Sequence, residues 1–140
     1  MKRIVKNVSE MGALAYDLAK NLKGGDILAL SGDLGAGKTT FVKSLATALG
    51  IEKVITSPTF TVMKKYDISY GHAKTFIHID CYRLTSLVDA ASVGISEILS
   101  DDSTIIAIEW PEIIEQILPT ERTRYLNFVY VDENVREVTY

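Results

Sequence analysis

Residues 32–40 read GDLGAGKTT. Glycines stand at 32, 35 and 37, and a lysine and two threonines follow. An apolar run, Ile27-Leu28-Ala29-Leu30, precedes the stretch, and Phe41-Val42-Lys43-Ser44-Leu45-Ala46 continues it. That succession predicts a strand, a tight loop and the start of a helix. The spacing from Gly32 through Gly37 to Lys38 and Thr39 fits the phosphate-loop pattern G-x-x-x-x-G-K-[ST] at every defined position. Backbone N–H groups at a helix N-terminus attract a polyphosphate, provided the backbone can come close to it. Gly35 and Gly37 leave that approach open and permit positive φ. Lys38 supplies charge for the β- and γ-phosphates, and the Thr39 hydroxyl is a hard oxygen ligand for Mg²⁺. The segment Gly32, Asp33, Leu34, Gly35, Ala36, Gly37, Lys38, Thr39 and Thr40 is therefore predicted to bind a nucleoside triphosphate.

A phosphate loop does not by itself separate a kinase from an ATPase. Hydrolysis wants carboxylates near the γ-phosphate and its cation. Two acids end apolar runs: Asp80 after Thr75-Phe76-Ile77-His78-Ile79, and Glu109 after Thr104-Ile105-Ile106-Ala107-Ile108. Both runs read as strands emerging at the carboxyl edge of a sheet, where ligands bind in open α/β folds. Each acid also reads as a cap for the next segment; beside a complete phosphate loop the functional reading is preferred, with Lys38, Asp80 and Glu109 as the catalytic set. Ser57-Pro58-Thr59-Phe60 reads either as a nucleotide-responsive switch, with Ser57 or Thr59 near the γ-phosphate, or as a proline turn. Trp110, the single tryptophan, reads first as packing beside the last strand. His72 is expected in an exposed turn and His78 packed on a strand face, neither with metal-ligand spacing. Cys81 reads as a small buried thiol.

The rest of the chain supplies the frame. Ser9 reads as the N-cap of a helix reaching about Leu22, with Leu14, Leu18 and Leu22 on one face and Gly24 as its stop. Asp26–Ser31 reads as a strand buried on both faces, and the helix after the loop runs to about Leu49. Phe60–Tyr66 and Lys74–Asp80 alternate like the arms of a hairpin with its turn at Ser69-Tyr70-Gly71-His72. Leu87–Leu99 reads as helix broken at Gly94, Pro111–Leu118 as a short helix, and Arg124–Tyr140 as two strands around Asp132-Glu133-Asn134. The prediction is one α/β domain over residues 1–140, with a largely parallel sheet, helices on both faces and antiparallel hairpin additions. At 47% hydrophobic and 24% charged residues the chain can bury a core without staples. A net charge of −3 argues against direct tight binding of nucleic acid, which draws its affinity from phosphate neutralisation. The apolar runs are strand length, the N-terminal residues lack a signal-peptide stretch, and one cysteine makes no internal disulfide, so a cytoplasmic location is expected.

Four segments then occur in order: SGDLGAGKTTFVKSLATALGI at 31–51, TSPTFTVMKKYD at 56–67, HIDCYRL at 78–84 and IEWPEII at 108–114. Over about residues 25–118 the chain resembles the bacterial TsaE family, formerly the YjeE-type ATPases, needed for threonylcarbamoyladenosine in tRNA. The resemblance implies a P-loop NTPase-like domain that binds ATP with Mg²⁺ and hydrolyses it slowly alone. It implies work beside a TsaD-type threonylcarbamoyltransferase and its relative TsaB, with tRNA reached only through those partners and no membrane role. The family's ATP cycle resets the transferase between turnovers. Residue by residue, it assigns Lys38 to phosphate, Thr39 and Glu109 to the metal, and Asp80 to water positioning or metal. It places Ser57 and Thr59 in a switch segment, moves Trp110 toward a site or partner surface, and has Arg83 pair with an acid or face a partner. Arg136 is the candidate for contact with the base. Cys81 stands where an apolar residue is more usual, and Gly94–Leu99 matches loosely. Two other readings compete: a small-molecule or nucleoside kinase, which needs an arginine-bearing lid that Arg83, Arg122 and Arg124 do not resemble, and a non-catalytic ATP-sensing module, which Asp80 and Glu109 oppose.

Overall fold

The apolar run before the glycine loop is the middle of a seven-stranded sheet. The computed structural model describes residues 1–58 and 62–140, so Thr59 and Phe60 of the expected switch lie outside the described residues. Among the described residues the elements run β1 (Lys2–Val5), α1 (Val8–Ala19), β2 (Ile27–Ser31), α2 (Lys38–Ala48), β3 (Met63–Tyr70), β4 (Ala73–Asp80), α3 (Leu87–Ser92), α4 (Ile95–Leu99), β5 (Thr104–Glu109), β6 (Thr123–Tyr130) and β7 (Arg136–Thr139). Short 3-10 helices, Pro111–Ile117 and Thr120–Arg122, join β5 to β6.

The strand order is β1-β7-β6-β2-β5-β4-β3. β6, β2, β5 and β4 are mutually parallel, while β3, β7 and β1 join as antiparallel wings. The expectation of a largely parallel sheet thus holds for the centre alone, and the sheet as a whole is mixed. β1 was not anticipated: four residues, three of them at least partly exposed, carry no alternation strong enough to read.

Side chains of β2 alternate between two cores, as strand geometry requires. Leu28 and Leu30 join the core under α1 and α2; Ile27 and Ala29 join the one under α3, α4 and the Pro111–Ile117 helix. Helices therefore cover both faces. In the first core Phe41 of α2 meets Phe128 of β6 edge to face, with centroids 5.5 Å apart. The second is closed from below by Arg122, whose guanidinium donates to the carbonyls of Gly25 (3.2 Å) and Leu99 (2.6 Å).

Several boundaries differ from expectation. The N-cap of α1 is Asn7 rather than Ser9: Asn7 is extended, and its Oδ1 accepts from the Glu10 N–H at 2.8 Å. Glu10 in turn accepts from the Lys6 N–H at 2.7 Å, a reciprocal arrangement akin to a capping box. The helix ends at Ala19 rather than Leu22, where the Tyr70 hydroxyl donates to the Ala19 carbonyl at 2.6 Å. Gly24 serves sterically instead of as a stop, since a Cβ there would overlap the Asp102 carbonyl. β3 continues through Tyr70, which leaves Gly71 and His72 as the turn. The break at Gly94 and the paired strands of the tail stand as expected.

Candidate nucleotide site

The carboxyl ends of β2, β4 and β5 meet on one edge of the sheet. Leu30 pairs with Glu109, and Glu109 pairs with Asp80. The register thereby places the two acids side by side, next to the loop that leaves β2. That loop turns tightly, with the Ala36 N–H donating to the Asp33 carbonyl at 3.1 Å. It enters α2 at Gly37, whose φ is +104°.

The glycines have different duties. A Cβ on Gly32 would overlap the Phe128 carbonyl of β6, so this glycine lets the loop leave the sheet. A Cβ on Gly35 would meet nothing within 4 Å, and its φ of +80° lies in the left-handed region. Gly35 faces open space, where a ligand can reach the backbone.

Lys38, the first residue of α2, is 4% exposed. Its Nζ donates to the Gly32 carbonyl and, at 3.0 Å, to the Asp33 carbonyl. The same ammonium sits 4.2 Å from the centre of the Trp110 ring. Burial pushes its pKa below the usual lysine value, against the opposing pull of Glu109, Glu112, Asp80 and Asp33. Thr39, one residue on, donates its hydroxyl to Glu109 Oε1 at 2.8 Å. Glu109 is 3% exposed, and its other oxygen, Oε2, lies 2.6 Å from His78 Nε2. Asp80 accepts from the Ser57 hydroxyl at 3.4 Å and from the Tyr82 N–H at 3.0 Å. It therefore caps the following turn and faces the loop at once.

Trp110 packs, partly buried, against the second core as expected, and it also lines the cavity. Its φ of +56° is a left-handed conformation that non-glycine residues rarely take. That turn presents the ring to Lys38 on one side and to Tyr82, 5.0 Å away between centroids, on the other. Arg136 donates from Nε to the Gly35 carbonyl at 3.0 Å and stacks over Tyr130 at 4.5 Å, so the final hairpin braces the loop. Cys81 is buried, and burial pushes its thiol up to about 12, in keeping with an inert side chain.

Beside these residues lies a cavity of about 620 Å³. Its walls include Gly35, Gly37, Lys38, Thr39, Thr40, Ser57, Asp80, Arg83, Glu109, Trp110 and Arg136. Val5, Asn7, Val8 and Met11 also line it, with Met11 beside Gly37, as do Glu133 and Asn134. The resemblance, which looks for base contacts in the N-terminal segment and the C-terminal strands, names only Arg136 here, because this part of the lining joins the β1–α1 corner to the β6–β7 turn. Thr39 and Glu109 are the oxygen pair placed to hold a hard cation. Among the described residues no group of three or more His, Cys, Asp or Glu forms a metal cluster.

A family profile described as "Threonylcarbamoyl adenosine biosynthesis protein TsaE" matches residues 5–138. The chain belongs to the TsaE family. TsaE of Treponema pallidum is 35% identical over 139 residues, 99% of this chain and 98% of that protein. TsaE of Bacillus subtilis is 37% identical over 134 residues, covering 96% and 80%. TsaE of Borreliella burgdorferi is 48% identical over 108 residues, covering 76% and 75%. All three are named as tRNA threonylcarbamoyladenosine biosynthesis proteins. The crystal structure of Bacillus subtilis YdiB aligns with a TM-score of 0.75 at 33% identity, over 99% of this chain and 82% of that one. The TsaE match extends beyond the expected residues 25–118 to β1 and β7, the elements that complete the cavity wall. No helix among the described residues is long and apolar enough to cross a membrane.

Proposed function

We propose that this chain is a P-loop NTPase-like, Mg²⁺-dependent ATPase that supports the threonylcarbamoyltransferase making threonylcarbamoyladenosine in tRNA. One observation carries the reading. Inside one cavity, the Thr39 hydroxyl bonds the Glu109 carboxylate beside a glycine loop and a buried lysine.

Lys38 exchanges the Gly32 and Asp33 carbonyls and the Trp110 face for phosphate oxygens. Loop N–H groups from Gly32 to Thr40 and the N-terminus of α2 bind the remaining phosphate charge. Thr39 and Glu109 would hold Mg²⁺, which would supply charge against that of the β- and γ-phosphates. Asp80, bonded to Ser57, orients the attacking water or a water of the metal shell. The wall from Val5 to Met11 receives the base, with Arg136 bracing the loop beneath it. Arg83 and Trp110 sit at the mouth and are assigned to coupling with a partner. The partners are a TsaD-type transferase and TsaB in the cytoplasm, with tRNA held by them rather than by this acidic chain.

The test is steady-state Mg²⁺-ATP hydrolysis by the purified chain, alone and with TsaB and TsaD from the same source. Strong stimulation that vanishes in Lys38→Ala supports the reading. No stimulation and no complex would return the chain to the kinase class and a search for an acceptor. Glu109→Ala is expected to lower turnover by roughly 10²-fold while nucleotide affinity changes little; comparing single-turnover rates with binding isotherms checks it.

A further inference from the structure

We propose that His78 is a positioning residue that fixes the Glu109 carboxylate for turnover; this rests on the ATPase reading above. His78 lies in the middle of β4 and is 0% exposed. It shares a strand face with Phe76 and Asp80, by the period of two. Its register partner is Ala107, two residues before Glu109, so its ring reaches Glu109 diagonally across the β4–β5 pair. The Nε2–Oε2 separation is 2.6 Å, and Nδ1 is buried without a hydrogen-bond partner among the described residues.

An imidazole kept only to fill space would be an odd choice here. A buried polar atom without a partner is costly, and an apolar side chain would remove that cost. The bond to Glu109 is what the imidazole offers and an apolar residue cannot. With the hydrogen on Nε2, the ring donates to the carboxylate and leaves a bare lone pair at Nδ1. The other tautomer sets two acceptors against each other and buries an unpaired N–H, so the geometry assigns the Nε2–H form.

Glu109 has two partners, Thr39 on Oε1 and His78 on Oε2. They are not equivalent. The Thr39 hydroxyl is the group assigned to the metal, so its oxygen is shared with the ligand while its O–H donates to Glu109. Among the described residues His78 is not part of the cavity lining and has no competing partner. It holds the carboxylate orientation while Thr39 serves the ligand. Outer partners of metal-binding side chains commonly act this way.

The test uses the full chain with His78→Leu, which removes the donor, and His78→Gln, which returns an N–H near the position of Nε2. His78→Leu is expected to lose about 10- to 100-fold in turnover with ADP affinity within about threefold of wild type. His78→Gln is expected to recover most of that loss, and His78→Leu adds nothing further in a Glu109→Ala background. A ¹H–¹⁵N spectrum of the His78 ring, recorded without nucleotide or metal, is expected to show the Nε2–H tautomer and to move in Glu109→Ala. Wild-type turnover in His78→Leu would overturn the proposal. So would equal losses of turnover and ADP affinity in both His78 variants, the pattern of a space-filling role. An Nδ1–H tautomer, or a spectrum indifferent to Glu109→Ala, would also overturn it. If His78→Leu does not fold, His78→Gln and the ring spectrum decide. If the wild-type chain hydrolyses no ATP, the ATPase reading fails instead, and the ring spectrum with ADP affinity still decides whether His78 fixes Glu109.

Discussion

Lys38 carries a charge in a place that resists it. Burial lowers its pKa, so the folded chain binds this proton less tightly than the unfolded chain does. Between the depressed folded value and the ordinary 10.5, the unfolded state holds more protons and stability rises with pH. Below that window the ammonium is a net cost to the fold. Lys38→Met is therefore expected to lose nucleotide binding and to raise the Tm of the nucleotide-free protein by a few degrees at neutral pH. The gap should narrow as pH climbs toward the unfolded value, and thermal melts at several pH values check it. Trp110 reports the same event from the other side. Drawing Lys38 off the indole changes the surroundings of the single tryptophan, so ATP is expected to shift Trp110 emission in wild type and not in Lys38→Met. Lys38 and Thr39 were legible because their chemistry follows from identity and spacing within one loop. His78 was not, because its partner lies 31 residues away on the neighbouring strand. The available signal was H-x-D itself, which on a strand turns His78 toward the same face as Asp80.

At the scale of the element, caps and glycines separate folding from binding. Asn7→Ala removes the acceptor for the Glu10 N–H and is expected to cost about 1 kcal/mol, whereas Ser9→Ala should stay within about 0.5 kcal/mol; urea denaturation distinguishes them. Both residues are good caps in isolation. The deciding clue was Glu10 three positions after Asn7, the spacing of a reciprocal cap. The glycine loop divides in the same manner. Gly32→Ala forces a methyl into the Phe128 carbonyl and is expected to destabilise the fold by about 1–3 kcal/mol beyond Gly35→Ala. Gly35→Ala leaves the sheet alone but occupies the ligand's approach, and should weaken ATP binding about tenfold or more. Denaturation midpoints set beside binding isotherms test the contrast. The phosphate-loop pattern fixes Gly32 and leaves Gly35 at a free position, and it does not say that Gly32 answers to β6 while Gly35 borders open space.

The whole molecule was the least legible. β2, β4 and β5 announced themselves as apolar runs, and the hairpins showed alternation and turn residues. Their order did not, since β2 takes both neighbours, β5 and β6, from the far half of the chain. The short wing β1 carries almost no pattern of its own and exists because β7 offers it an edge. The cavity inherits this distance. Its lining draws on the first residues and on the last hairpin, so no single segment encodes it. The contact of Gly32 with the Phe128 strand carries this into biosynthesis. A nascent chain that has already cleared the ribosome with its entire phosphate loop still lacks the strand against which that loop is set. The loop is seated only once β6 has paired with β2.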